Sequence, residues 1–432
     1  MGNVGTFIAH SLRGLQNPPP VTLLFRGGRF QEWNESGRKL TLVTDRHAEK
    51  HDGFEAELVV PRPRHHGKEI GQTGNSGDTF SSGQAEGQNN QRQLQEGESS
   101  EPIHSLIVCT KAPAVLQALS AVKHRLHKES VVLFLQNGMG TVEEVNREIF
   151  PDPATRPHYL LGINSHGLHL GREDAFTAVH AGYGIISLGL LPQERDRSSA
   201  PYEPLPKFRA GWGIENLFPI TPTNKANPDP DTAAPETANF HWTSNQRYLL
   251  RTLLRAPVLC ATSFSPPDLL QLQLEKLAVN CIVNPLTVML DARNGAIIYN
   301  YSLTRVTRLL LSEISLVIRS LPELQYIPNV DQRFDPGRLE TMVVGVAHKT
   351  KDNISSMLAD VRAGRRTEID YINGWIVKKG EEQGVRCLMN YMLLQMVKGK
   401  GNMIQMEIGE GVPFVEPREG EGNVQVGDEA GG

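Results

Sequence analysis

Three polar side chains interrupt an otherwise apolar stretch, and their spacing gives the first indication of chemistry. In LEKLAVNCIVNPLTVML (274–290), Lys276, Asn280 and Asn284 follow one another every four residues. This spacing places them on one face of a helix, and Pro285 predicts a kink after Asn284. Because burying them unpaired would be costly, they form either a polar network in the core or one side of a ligand cleft. In a cleft, a partly desolvated lysine could act as a general acid.

Two further candidates follow stretches that have the character of buried β-strands. Lys111 ends HSLIVCTK (104–111), and Asn137 with Gly138 comes directly after VVLFLQ. In open parallel sheets, ligands bind beyond the carboxyl ends of the strands, so both polar side chains are candidates for ligand contacts. Because Asn-Gly also favours tight turns, a turn is an equally good interpretation of QNGMG.

The chain begins MGNVGTFIAHSLRGL, in which Gly2 and Gly5 stand at the head of an apolar, helix-like run. This is the second half of the G-x-G-x-x-G dinucleotide fingerprint, without its first glycine or the strand before it. Arg26 ends the next predicted strand, VTLLFR, where an Asp or Glu would bind the ribose of NAD. A guanidinium there suits the 2′-phosphate of NADP. The alternatives are small residues at a chain end and a solvated arginine.

A last cluster lies in NISSMLADVRAGRRTEIDYINGWIV (353–377). Ser355 and Ser356 could cap the short helix that follows them. Glu368 stands near the start of another predicted helix and borders an apolar surface, where a carboxylate could be set against a base. An ordinary surface glutamate at a helix start is the alternative.

Composition excludes several classes of function. The chain has 432 residues and a net charge of −4, so no basic surface predicts a nucleic acid or anionic membrane as a partner. No apolar stretch reaches the ~18 residues of a membrane span, and no signal peptide is recognisable. The four cysteines lie far apart. They predict reduced thiols in an intracellular protein, and no metal site is predicted.

The order of elements predicts an α/β protein followed by a helical one. Strands separated by a helical segment form a β-α-β unit, which indicates a parallel sheet. We therefore predict a domain over 1–262 and a helical domain over 263–405. The segments 62–102 and 193–245 and the tail 406–432 are predicted to be disordered, because they are too polar to offset the entropy of ordering. Helices are predicted at 246–255, 266–292, 302–320, 336–350, 355–363 and 367–384.

Three blocks strongly resemble the ketopantoate reductases (2-dehydropantoate 2-reductases). They are FLQNGMGTVEEV (134–145), KLAVNCIVNPLT (276–287) and NISSMLADVRAGRRTEIDYINGW (353–375), in the order of the family. The resemblance covers most of 1–400 apart from the insertions. It implies a Rossmann domain, whose first strand is truncated here, then a helical domain, with the site in the cleft between them. The implied reaction is the NADPH-dependent reduction of 2-dehydropantoate to (R)-pantoate, a step toward pantothenate and coenzyme A.

The resemblance also implies a role for each candidate residue. Lys276 matches the catalytic lysine of the family, and Glu368 matches the acid of its T-E-I-D motif. The substrate-binding positions are matched by Asn280, Asn284, Asn294, Ser356 and Asn137. The cofactor-binding positions are matched by Gly2, Asn3, Val4, Gly5, Arg26, Lys111, Asn137 and Glu368. A lysine ammonium suits the charge that develops on the ketone oxygen, and a nearby carboxylate can keep that lysine protonated.

Two rival functions remain open at this point. The protein could reduce another branched 2-keto acid, or it could be a non-catalytic paralogue with a binding or regulatory role. The missing strand favours the paralogue, whereas Lys276, Asn280, Ser356 and Glu368 oppose it; we interpret the missing strand as a truncation. The expected partners are NADPH/NADP+ and a small 2-keto acid, with no nucleic acid or membrane. A cytoplasmic location is expected, with a mitochondrial one as the alternative, and a homodimer is left open.

Overall fold

A computed structural model of the chain describes residues 2–60, 64–65, 68–69, 94–171, 175–193 and 242–410. The chain divides into two compact units, Met1–Leu277 and Ala278–Gly432. Most of the two predicted insertions and of the predicted tail lies outside the described residues.

All strands among the described residues belong to the first unit. They are β1 Thr22–Phe25, β2 Leu40–Thr44, β3 His47–His51, β4 Glu55–Leu58, β5 Arg64–His65, β6 Lys68–Glu69, β7 Ser105–Val108, β8 Val131–Phe134, β9 His158–Asn164, β10 Gly167–Leu170, β11 Thr177–Gly182, β12 Ile186–Leu191 and β13 Ala261–Ser263. The helices that begin in this unit are α1 Asn3–Arg13, α2 Gly27–Glu35, α3 Val115–Val122, α4 Thr141–Glu148, α5 Ser244–Leu254 and α6 Pro266–Leu290.

The main sheet has five strands in the order β13-β12-β9-β8-β7. The strands β7, β8 and β9 run parallel, with Val108 beside Phe134 and Leu133 beside Leu160 in the register. The strand β12 runs antiparallel to β9 and parallel to β13. The predicted β-α-β unit is therefore confirmed as β7-α3-β8.

Helices cover both faces of this sheet because successive side chains of a strand point to opposite faces. Leu133 of β8 belongs to a buried cluster with Phe7 of α1 and Leu250 of α5. Its neighbour Phe134 belongs to a second cluster with Val145 of α4, which also includes residues of α3. Helices on both faces of a largely parallel sheet make the first unit a Rossmann-like domain.

Two smaller sheets surround a third cluster. The strands β1 and β4 pair in parallel, and a four-stranded sheet has the order β10-β11-β2-β3. The Trp33 ring of α2 is fully buried and makes an edge-to-face contact with Phe176, 5.0 Å between centroids. It also lies 5.5 Å from the ring of Phe25 in β1. This aromatic cluster holds the segment that begins at the predicted cofactor arginine, Arg26.

Some ordered structure extends into the predicted insertions. Within the first, the Leu58 amide donates to the Gly97 carbonyl over 2.8 Å, and a Cβ at Gly97 would lie 2.6 Å from the Phe30 ring. Gly97 therefore packs closely against Phe30, in a segment whose polar composition predicted disorder. The helix α5 begins at Ser244 with a capping box, in which Thr243 and Gln246 exchange side chain-to-backbone bonds. The T-x-x-Q spacing of residues 243–246 is typical of a capping box and could have predicted this helix start.

The second unit is helical in its described part. Its helices after α6 are α7 Tyr301–Arg319, α8 Val330–Arg333, α9 Pro336–Lys349, α10 Ser356–Arg362, α11 Asn373–Glu382 and α12 Leu388–Glu410. The predicted domain boundary between 262 and 263 lies before α6, whereas the units divide inside that helix. Among the helices with described residues, none has the length and sustained hydrophobicity to cross a bilayer.

The proline inside α6 is accommodated by a side chain from another helix. Pro285 has no N–H, so the carbonyl four residues earlier, that of Cys281, loses its usual helical partner. Asn373 of α11 donates its Nδ2 to this carbonyl over 3.0 Å. The same amide nitrogen donates to Oδ1 of Asn390 in α12, and Asn390 donates to Glu313 of α7. This buried network ties four helices together at the proline.

Replacing Asn373 with alanine is therefore expected to destabilise the protein by about 1–3 kcal/mol, because the buried Cys281 carbonyl loses its donor. Urea unfolding followed by circular dichroism measures this loss. Asn300→Ala, which removes only the exposed N-terminal cap of α7, is the control and is expected to cost about 1 kcal/mol or less. An Asn373→Ala variant as stable as the wild type would contradict this role.

Candidate active site

The ammonium of Lys276 is held by two oxygens in the first unit. Lys276 lies on α6 and is half-buried. Its Nζ donates to Oδ1 of Asn137 over 2.9 Å and to the backbone carbonyl of Asn164 over 2.8 Å. Both acceptors are uncharged oxygens, and the two bonds orient the ammonium. An oriented ammonium can stabilise an oxyanion and donate a proton.

Asn137 reaches the lysine from the loop that follows β8. Gly138 and Gly140 in this loop have φ values of +81° and +95°, a backbone region that other residues adopt only with strain. Gln136 fastens the loop to the neighbouring strand end, since its Nε2 donates to the carbonyls of Val108 and Thr110. The predicted strand-end position of Asn137 is thus confirmed.

The sequence did not predict a role for Asn164. This residue ends β9, much as Asn137 follows the end of β8. Its side-chain Oδ1 accepts from the His166 amide over 3.1 Å, while its backbone carbonyl accepts from Lys276. The His166 ring is fixed by the Leu259 carbonyl and by His180, each 3.0 Å away. Burial lowers the pKa of both histidines below the usual range. These neutral rings therefore hold the turn that presents Asn164. The feature that could have pointed to Asn164 from the sequence is a polar residue at the end of a predicted strand.

Several of the predicted cofactor residues lie at or near the ends of elements in the first unit. Gly2 is exposed and precedes α1, whose first turn has no acidic residue. Gly5 is buried, and Nδ2 of Asn3 donates to the Leu168 carbonyl over 3.3 Å. The N-terminus of a helix carries positive partial charge and free N–H groups, which suit a phosphate.

Two basic residues also belong to the predicted cofactor residues of the first unit. Arg26 is exposed between β1 and α2, and Lys111 is exposed beyond the carboxyl end of β7. The nearest carboxylate after Arg26 in the sequence, Glu32, pairs with Arg29.

Cysteine chemistry is not favoured. All four cysteines are free. Burial raises the pKa of the Cys109 thiol to about 12 and that of Cys387 to about 11. It raises the pKa of Cys281, which lies between the two asparagines of α6, well above its usual value. Because the thiolate is the nucleophile, these three thiols are inert near neutral pH.

The second unit brings together residues that are far apart in the sequence. The Asn294 amide donates to the Asn353 carbonyl over 2.9 Å, and Nδ2 of Asn294 donates to Thr350. Nearby in the sequence, Ser355 is buried and caps α10 by accepting from the Leu358 amide over 3.1 Å. Thr287 of α6 donates to the same Ser355 oxygen over 2.7 Å. The segment that carries Ser356 is thus fixed to α6.

The other predicted residues of this unit differ in exposure. Asn284 and Glu368 are buried, Asn280 is half-buried, and Ser356 is exposed as the first residue of α10. The predicted helix over 367–384 is interrupted, because a 3-10 turn at Ile369–Tyr371 and Ile372, with φ −108° and ψ −96°, precede α11. Glu368 therefore stands before a short turn rather than on a long helix.

A Rossmann-like domain followed by a helical domain, with a fixed lysine at the strand ends, places the chain among two-domain α/β proteins of the dinucleotide-binding class. A family model described as "Ketopantoate reductase PanE/ApbA" matches residues 1–193. Another, "Ketopantoate reductase PanE/ApbA C terminal", matches residues 268–401. The chain belongs to the ketopantoate reductase PanE/ApbA family.

Relatives with named activities agree with this assignment. The chain is 28% identical over 300 residues to a "Probable 2-dehydropantoate 2-reductase" of Schizosaccharomyces pombe, covering 69% of this chain and 74% of the relative. It is 27% identical over 309 residues to the "2-dehydropantoate 2-reductase" of Yersinia pestis, covering 71% and 77%.

Solved structures share the fold. A "Probable 2-dehydropantoate 2-reductase" from Bacillus subtilis matches with a TM-score of 0.54 at 20% identity, covering 92% of this chain and 97% of that one. A D-mandelate dehydrogenase in a ternary structure with NADH and anilino(oxo)acetate matches with a TM-score of 0.58 at 16% identity, covering 93% and 97%.

The two neighbouring serines are expected to respond differently to substitution. Ser355→Ala removes the cap of α10 and the acceptor of Thr287, so it should cost about 0.5–2 kcal/mol of unfolding free energy. Ser356→Ala changes an exposed side chain and should stay within about 0.5 kcal/mol of the wild type. Urea unfolding of both variants makes the comparison. Equal stabilities would mean that Ser355 is not the cap.

Proposed function

We propose that this protein catalyses the NADPH-dependent reduction of 2-dehydropantoate to (R)-pantoate, a step toward pantothenate and coenzyme A. The observation that carries the proposal is the Lys276 ammonium, oriented by Asn137 and by the carbonyl of Asn164. It is supported by the family of the chain and by 2-dehydropantoate 2-reductases among its relatives.

Lys276 is proposed to act on the ketone oxygen. As the ketone carbon is reduced, negative charge develops on this oxygen, and the ammonium stabilises it and then donates a proton. The product is the secondary alcohol, and the lysine regains its proton from solvent. Asn137 and Asn164 fix the direction of the ammonium, which reduces the reorganisation that the reaction needs. Glu368 is proposed to favour the protonated lysine.

The first unit has residues that fit a nicotinamide dinucleotide. Gly2 offers no side-chain cap to α1, so the amides of Asn3 and Val4 at its first turn suit a pyrophosphate. Arg26 is proposed to bind the 2′-phosphate, and Lys111 and Asn137 are proposed to contact the cofactor near the substrate. When bound, NADPH supplies the hydride that reduces the ketone.

The second unit is proposed to bind the 2-keto acid. Asn280, Asn284 and Asn294 offer amide groups for the hydroxyl and carbonyl oxygens of the substrate. Ser356, exposed at the start of α10, is proposed to donate its hydroxyl to the carboxylate. The bonds of Asn294 to the 350–353 segment, and of Thr287 to Ser355, stabilise the two loops that carry these groups.

Lys276→Ala is expected to lower kcat by about 10²–10⁴-fold, the typical contribution of a positioned general acid, while the Kd for NADPH changes only a few fold. Loss of NADPH absorbance with 2-dehydropantoate measures turnover, and NADPH fluorescence measures binding. The matched control is Lys379→Ala, whose ammonium pairs with Glu382 and which should retain wild-type turnover. Wild-type turnover in Lys276→Ala would remove this lysine from the reaction.

Arg26→Ala is expected to raise KM for NADPH by about 10- to 100-fold, because a charge-assisted hydrogen bond to the 2′-phosphate is lost. The kinetic constants with NADH should change little, since NADH has no such phosphate. Arg29→Ala, three residues away and paired with Glu32, is the control. An equal loss with both cofactors would show that Arg26 does not read the phosphate.

A second candidate substrate is another 2-keto acid. The observation that favours it is the similarity of fold to a D-mandelate dehydrogenase. Rates with 2-dehydropantoate, 2-oxoisovalerate and phenylglyoxylate separate the two. A site that hydrogen-bonds the substrate hydroxyl should prefer 2-dehydropantoate in kcat/KM by at least about 100-fold. Faster reduction of phenylglyoxylate would favour the second candidate.

A further inference from the structure

Three side chains with metal-ligating atoms meet away from Lys276 and its partners, at the side of α1. They are His10 on α1 and Glu49 and His51 on β3. One ligand atom from each lies within 4.8 Å of the others. Nε2 of His51 is 3.3 Å from Oε1 of Glu49, and the two imidazole rings are 4.2 Å apart between centroids.

The separations are close to those that a zinc ion would impose. Zn²⁺ binds His nitrogen and carboxylate oxygen at about 2.0–2.2 Å in a tetrahedron, so neighbouring ligand atoms lie about 3.3 Å apart. The His51–Glu49 contact already has this length. The longest separation in the group would have to close by about 1.5 Å at most. The Glu49 side chain is 61% exposed, so it can change rotamer to face an ion between the two histidines.

His10 is prepared for a metal by its surroundings. It is 2% exposed, and its ring is oriented by a backbone acceptor. Its Nε2 lies 3.0 Å from the Glu49 carbonyl, which can only accept. Metal-binding histidines commonly donate their second N–H to such a carbonyl, which fixes the tautomer and the ring orientation.

Gly14, at the C-terminal end of α1, leaves space beside the His51 ring. A Cβ at Gly14 would lie 3.0 Å from Nε2 of His51, the ligand atom. The backbone of Gly14 has φ −73°, which any residue can adopt. A larger residue at this position would therefore crowd the His51 ring, whereas the backbone conformation itself does not call for glycine.

We propose that His10, Glu49 and His51 bind one Zn²⁺ ion, with water in the fourth position. Two imidazoles and a carboxylate suit a borderline metal such as zinc, whereas magnesium and calcium prefer all-oxygen sites. The ion would join α1 to β3 and would take no part in the reduction. The sequence predicts no metal here, because His10 and Glu49 are 39 residues apart and match no ligand spacing.

The test is zinc binding by the full chain. Purified protein is stripped with a chelator and titrated with ZnCl₂ by calorimetry, with bound zinc counted by mass spectrometry after dialysis. One equivalent is expected to bind in the micromolar range or tighter. His51→Ala and Glu49→Gln should weaken this equivalent by at least about 100-fold. His47→Ala, on the same strand but outside the group, is the matched control and should keep it.

Thermal stability gives an independent readout that does not depend on counting ions. Zn²⁺ should raise the Tm of the wild type and of His47→Ala, because it binds only the folded state. It should not raise the Tm of His51→Ala, and Mg²⁺ should raise neither. The proposal is overturned if no zinc binds at micromolar concentration. It is equally overturned if His51→Ala and Glu49→Gln bind zinc and gain stability as the control does.

Discussion

The pair of hydrogen bonds from the Lys276 ammonium to Asn137 and Asn164 is the constraint on which the proposed chemistry depends. A lysine side chain has four rotatable bonds, and fixing it costs conformational entropy. Here one acceptor is the last residue of β9, and the other lies in the loop that follows the neighbouring parallel strand β8, so the sheet brings the two segments side by side. The register of that sheet is held by buried side chains on both faces. The hydrophobic core therefore positions the oxygens that orient Lys276, the proposed catalytic residue.

The helix that carries this lysine meets a second constraint farther along. Pro285 breaks the hydrogen-bond pattern of α6, and Asn373 restores a partner for the Cys281 carbonyl. Two residues after the proline, Thr287 joins α6 to the cap of α10 through Ser355. In the second unit, the polar groups next to the proposed substrate residues are thus held by other helices rather than left to solvent. Such satisfied buried networks give rigidity that apolar packing alone does not specify.

Much of this arrangement could be predicted, because local patterns encode it. The four-residue spacing of Lys276, Asn280 and Asn284 indicated a helix, and α6 confirms it. The position of Asn137 beyond β8 followed from the apolar strand pattern before it, while its contact with a ligand stays a prediction. The bond between Lys276 and Asn137 joins residues 139 positions apart, and no local pattern reports such a pairing.

Other elements were missed for identifiable reasons. The strand β3, HAEKH, is almost entirely exposed, so it has no hydrophobic alternation to mark it. In α12 the hydrophobic periodicity is weak, and three glycines lie within the helix. The role of Asn164 depends on its backbone carbonyl, which residue type reveals poorly, whereas the predicted cap by Ser355 is confirmed. The zinc ligands are brought together only when α1 packs beside β3.

The most direct measurement of the central claim is the primary deuterium isotope effect on kcat, with NADPH deuterated at the transferred position and 2-dehydropantoate as substrate. If Lys276 stabilises the charge that forms as the ketone is reduced, its removal slows that step alone. The isotope effect in Lys276→Ala should then rise above the wild-type value, while kcat falls. A fall in kcat with an isotope effect close to one would contradict the account, because the lysine would then act in binding or release rather than in the reduction.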